Sequence, residues 1–110
     1  MKRLGQSAIG TGSGTLIYTV PTGYETEVQD FFVANTTGSA ITCSLHFVPS
    51  GSAVSAANAI LYNVTIAANS TIHWCGNQII NAAGFIQAIG GSSGLTITVS
   101  GTENRKVGAS

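Results

Sequence analysis

Three of the four acidic residues, Glu25, Glu27 and Asp30, fall within six positions of one another. Glu25 and Glu27, at i and i+2, share one face of a strand, the placement a carboxylate pair needs for proton transfer or for a hard cation. The sequence favours a plainer reading, a solvated strand edge whose charge discourages edge-to-edge pairing. His46 and His73 lie near Cys43 and Cys75 in sequence, but Cys43 has the strand parity opposite to His46, so the four do not form a zinc set. Ser44, His46 and Asp30 can be written as nucleophile, base and orienting acid, yet Ser and Thr are abundant enough for such a set to arise by chance. Gly12-Ser13-Gly14 has no strand-to-helix elbow around it, and Gly10 to Gly14 is followed by neither Lys-Ser/Thr nor a helix. Trp74, Tyr24 and Tyr62 offer rings that can stack on a sugar, although core or interface packing is the commoner role of such residues. The sequence therefore assigns no catalytic, cofactor-binding or metal-ligating residue. It reads as non-enzymatic, with Trp74 and Tyr62 kept as candidates for glycan stacking.

The elements that would position these side chains are strands. The chain has 110 residues, enough for one core, and four basic residues balance four acidic ones. An electrostatic partner of nucleic acid or of a membrane surface carries an excess of Lys and Arg, so neither partner is expected. Ser, Thr, Asn and Gln supply 36 residues, and Val, Ile and Thr together 32, a bias toward pleated strands. The apolar runs fall well short of the roughly 20 residues that span a bilayer. Met1, Lys2 and Arg3 resemble the start of a signal peptide, but the Gly/Ser-rich segment that follows lacks its apolar core, so secretion by that route is not expected. Cys43 and Cys75 read as buried, reduced thiols. The sequons at Asn35, Asn63 and Asn69 read as turn and strand chemistry.

Alternating runs separated by Gly, Ser, Asn and Pro predict seven strands: 15–20, 24–34, 40–48, 60–66, 70–75, 84–89 and 95–100. In the third, Ile41, Cys43, Leu45 and Phe47 face the core, against Thr42, Ser44 and His46. In the fourth, Ile60, Tyr62, Val64 and Ile66 share the inner face; in the last, Leu95, Ile97 and Val99 do so. The second strand breaks parity between Val28 and Phe31, which requires a β-bulge near Gln29 and Asp30. Turns at Ala67-Ala68-Asn69 and at 90–94 are expected to join the last four strands in pairs, and 52–59 holds the one helical turn. The fold class is a single antiparallel β-sandwich, jelly-roll-like, of seven to eight strands. It comprises a flexible arm over 1–14, a sandwich domain over 15–103 and a tail over 104–110.

The turn motifs carry a resemblance. Tyr18-Thr19-Val20-Pro21-Thr22-Gly23, Val33-Ala34-Asn35-Thr36-Thr37-Gly38-Ser39-Ala40, Phe47-Val48-Pro49-Ser50-Gly51, Val64-Thr65-Ile66-Ala67-Ala68 and 95–103 together resemble small β-sandwich virion proteins of tailed bacteriophages. Where that pattern has Gly-Asp before its penultimate strand, this chain has Gly84-Phe85. The resemblance implies a capsid decoration or cement protein located in the virion and assembled in the host cytoplasm. Its partners would be copies of itself in a trimer, together with the major capsid protein or other virion proteins, and it would need no cofactor. The alternatives are a tail, baseplate or fibre subunit, or a glycan-binding module. Under the structural reading, Phe85 and Ile89 point outward to an interface because Ile86 and Ala88 take the inner parity. Lys2, Arg3, Leu4 and Ile9 belong to an arm that orders on a neighbouring subunit. Ordering that arm costs about 1 to 2 kcal/mol per residue, against roughly 1.5 to 3 kcal/mol returned by each fully buried aliphatic anchor.

Overall fold

A computed structural model describes residues 2–105. Eight strands form: β1 (Lys2–Ile9), β2 (Thr15–Thr19), β3 (Tyr24–Asn35), β4 (Ile41–Val48), β5 (Ala59–Ile66), β6 (Thr71–Ile80), β7 (Phe85–Gly90) and β8 (Leu95–Arg105), with one 3₁₀ turn at Ala56–Asn58. They make two antiparallel four-stranded sheets, ordered β1-β8-β3-β6 and β2-β7-β4-β5. This is jelly-roll topology: every connection except β4–β5 crosses from one sheet to the other. Among the described residues no helix is long and apolar enough to cross a membrane.

Period-two patterning builds the core as expected. Ile41, Cys43, Leu45 and Phe47 of β4, Ile86 and Ala88 of β7, and Leu95, Ile97 and Val99 of β8 are all buried between the sheets. The bulge in β3 lies between Val28 and Asp30, against both neighbours, so Val28 and Phe31 are both fully buried despite opposite parity. Gly101 of β8 lies against it, where a Cβ would come within 2.1 Å of the Glu27 carbonyl oxygen. That glycine reads as a terminator in the sequence. In the structure it permits close backbone approach, and β8 runs on to Arg105. Likewise Gly76-Asn77 forms a further irregularity, and β6 continues to Ile80 because β3 is long enough to pair with it.

Three expectations are corrected. The segment expected as a flexible arm is strand β1 over residues 2–9, paired with β8 of the same chain, with Ile9 in the core and Leu4 packed against it. A bulge at Leu4, between Arg3 and Gly5, turns Leu4 inward. Second, β5 and β6, and β7 and β8, lie in different sheets rather than pairing as hairpins. The 67–70 turn is tied to the β3–β4 loop instead, Asn69 N–H donating to Thr37 O at 3.0 Å and Asn35 N–H to Ser70 O at 2.8 Å. Third, Asn63 adopts a positive φ of 49° where the register of β5 slips against β4, so Leu61 packs on the core and Tyr62 is 60% exposed, while a second slip leaves Ile60 packed on the core as expected. Of the expected tail over 104–110, Asn104 and Arg105 end β8, and residues 106–110 lie outside the described residues.

Candidate functional site

The chemistry-bearing residues do not converge. Asp30 lies on β3 of one sheet, whereas Ser44 and His46 lie on β4 of the other, with the core between them. The same separation parts Cys43 and His46 from His73 and Cys75. Among the described residues no group of three His, Cys, Asp or Glu side chains is placed to hold a metal. Cys43 is buried, and that burial pushes its thiol up to about 11. Cys75, expected inside, is exposed. Glu27 accepts a hydrogen bond from Asn77, whose amide, turned to satisfy its neighbours, places Nδ2 at 2.6 Å.

His46 has outward parity, as expected, yet is buried, because the segment after β4 folds back over it. Asn58 Oδ1 lies 3.0 Å from His46 Nδ1 and accepts from Ser55 N–H at 3.2 Å, while Asn58 Nδ2 donates to Ala53 O at 2.9 Å. An amide oxygen only accepts, so the imidazole carries its proton on Nδ1. Ser44 Oγ accepts from Asn63 N–H at 3.0 Å, which fixes the turn of β5. These are packing roles.

Trp74, a candidate for glycan stacking, is committed to the core. It stacks on Phe31 at 5.2 Å with 13° between planes and meets Phe47 edge-on at 6.4 Å. Tyr62 remains exposed on β5. Of the expected interface residues, Ile9 is consumed by its own core and Leu4 is partly buried. Phe85 and Ile89 take the outward parity and are half-buried. Ile89 is flanked by the β1–β2 turn, where a Cβ on Gly14 would come within 2.6 Å of it. Lys2 and Arg3 are exposed on β1, where Lys2 Nζ pairs with Glu103 at 2.6 Å and Arg3 donates to Gln6 Oε1 at 3.3 Å.

What the structure does gather lies on the lateral sides of the sandwich. The large exposed apolar side chains among the described residues are Leu16, Phe32, Tyr62 and Ile79. Leu16, Tyr62 and Ile79 sit on β2, β5 and β6, all edge strands. Phe32 is one strand in from β6 and stacks on His73 of that strand at 4.1 Å. Between β5 and the end of β6 the sandwich is open, with a cleft of about 490 Å³ lined by Phe47, Ala59, Ile60, Gln78, Ile79 and Ile80 among others. Sequence reasoning misses Phe32, His73, Ile79 and Leu16 as a set; the long uncharged run Thr71–Ile80 is the signal that marks the edge. No family model, curated protein or solved structure matches the chain.

Proposed function

We propose that the chain is a non-enzymatic structural subunit of a bacteriophage virion, a capsid decoration or cement protein that stabilises a shell through subunit contacts. The observation that carries this reading is the placement of Leu16, Tyr62 and Ile79 on edge strands. An edge strand presents unpaired backbone donors and acceptors, and natural sheets usually guard it with charge or Pro. Here β5 and β6 contain neither, and exposed apolar side chains on such edges favour association over a solitary life in solution. The turn motifs supply the virion context by resemblance, and jelly-roll sandwiches recur in viral capsid subunits. That parallel is one of architecture alone.

The test is a stoichiometric count of the chain in purified virions, by quantitative mass spectrometry against the major capsid protein. A decoration protein appears in a copy number fixed by the capsid lattice. A count matching one tail ring, with none on the head, moves the chain to the tail or baseplate reading, and its absence from particles rejects both.

A further inference from the structure

The sheet β1-β8-β3-β6 has two free edges, and they are complementary. Its four strands alternate in direction, so β1 and β6, at opposite ends, run antiparallel. A second copy displaced sideways without being turned over therefore brings its β1 antiparallel to β6 of the first, the geometry a ladder needs. Each edge has a regular stretch of five residues, Gly5–Ile9 on β1 and Thr71–Cys75 on β6, each ended by an irregularity.

The charges are divided between the same edges. β1 carries Lys2 and Arg3, and β6 carries no charge, but β3 beside it carries Glu25, Glu27 and Asp30. The registers align outward residues in rows across the sheet, Arg3–Ser100–Asp30–Cys75 and Gln6–Thr98–Phe32–His73, followed by Ala8–Thr96–Ala34–Thr71. Continuing these rows onto a second copy sets Arg3 of the partner subunit beside Cys75, a side chain small enough for the guanidinium to reach across toward Asp30. Gln6 of the partner subunit then meets His73, and Ala8 of the partner subunit meets Thr71. In the other sheet the row Leu16–Gln87–His46–Ala59 continues in the same way and places the partner's Leu16 beside Ala59, on the rim of the cleft. A two-fold β6–β6 pairing would instead place the carboxylates of β3 on both sides of the ladder with no cation between them.

We propose that copies of this chain associate head to tail, the β1 edge of one pairing antiparallel with the β6 edge of the next and Arg3 facing Asp30. The proposal rests on the structural-subunit reading and names its contact. Such a heterologous interface builds a closed ring when its rotation closes and a filament when it does not.

The native Cys75 makes the contact testable. Within one chain β1 and β6 are separated by two strands, roughly 14 Å, so a cysteine at position 3 reaches Cys75 only in another copy. Under mild diamide oxidation the full-length Arg3→Cys protein should give a non-reducing ladder of dimers, trimers and larger species, or stop at one ring size, while the unsubstituted chain stays monomeric on the gel. Because Arg3→Cys removes the charge, the Ala8→Cys/Thr71→Cys/Cys75→Ser protein, which retains Arg3, should give the same ladder. Arg3→Glu should weaken self-association in sedimentation about fivefold, and Asp30→Arg added to it should restore association. Cross-linked dimers of the unsubstituted chain would establish β6–β6 pairing and overturn the proposal, as would monomers from both cysteine variants. Virion copy number is scored separately: a chain counted in virions without a ladder leaves the subunit reading standing and removes this contact, and a ladder without virion incorporation does the reverse.

Discussion

The two lateral sides of the sandwich are closed by opposite means. On the β1/β2 side the backbones approach until nothing fits between them: a Cβ on Gly5 would lie 2.7 Å from the Ile17 carbonyl oxygen. That side is then locked by polar groups. Thr26 and Tyr18 hydroxyls share a hydrogen bond at 2.8 Å, Tyr18 donates to Glu103, and Glu103 pairs with Lys2. On the β5/β6 side the sheets stay apart and volume closes the gap, with Trp74 wedged against Phe31 and Phe47, and Phe47 also lining the cleft that remains. One side gains its stability by removing side chain, the other by inserting the largest one.

Removing residues 1–14 tests the closed side most severely. If they were an arm, their loss would spare the sandwich. Since residues 2–9 form β1, deletion strips β8 of its partner over residues 95–101 and removes buried Ile9, so stability should fall by about 4 kcal/mol or more, read as a large drop in the circular-dichroism melting temperature. An unchanged melt would show β1 to be dispensable. On the open side, Trp74→Ala should cost about 3–5 kcal/mol in chemical denaturation, because Phe31 and Phe47 lose the ring that fills their gap. A loss below about 1 kcal/mol would mean that the side collapses to fill the space.

Paired glycine substitutions sharpen the same comparison at smaller energies. A methyl at Gly5 meets backbone, which cannot yield, and Gly5→Ala should cost about 1–3 kcal/mol. At Gly76 a Cβ would lie 3.1 Å from the Trp74 ring, a side-chain contact that a shift of a few tenths of an ångström relieves, so Gly76→Ala should cost less. Equal losses in urea denaturation would erase the distinction between a rigid and a yielding side.

The difference between the sides also explains what the sequence discloses. Strong alternation, as in Ile41–Phe47 and Leu95–Val99, states its own strand, and the parity break at Val28–Phe31 states its own bulge. Close backbone approach is written in glycine, which reads equally as flexibility, so β1 looks like an arm and Gly101 looks like a stop. Asn63, at a positive φ, marks a register slip that exchanges Tyr62 for Leu61 on the core side of β5, and nothing in its neighbours announces it. Sheet crossing is equally silent: the turn at 67–70 satisfies its backbone groups on the β3–β4 loop, a partner some 30 residues away in sequence. The placement of Cys43 and His46 on opposite faces of β4 is legible in their parity. The burial of His46 under Asn58, by contrast, depends on how a loop folds back.

The smallest expected effect lies in the polar lock of the closed side, and it has a definite pH signature. The Lys2 ammonium first, then the Tyr18 hydroxyl, holds the Glu103 carboxyl below its ordinary value, against a smaller opposing effect of burial. A carboxyl whose folded value is depressed contributes stability above its unfolded range, and that contribution is lost as pH falls through the folded value. Lys2→Met removes the largest cause, so the variant should be slightly less stable than the parent at neutral pH, and the two should converge on acidification. Tyr18 acts at the other end of the scale. Burial, reinforced by Glu103, pushes its phenol up to about 12, so its contribution is complete below the ordinary tyrosine range and lost as pH rises through about 12. Because that alkaline loss depends chiefly on burial, it should persist in Lys2→Met and disappear in Tyr18→Phe. Urea unfolding across the pH range reads both limbs. A constant gap between parent and Lys2→Met from neutral to acid pH would show that the Lys2 ammonium does not act through the Glu103 carboxylate.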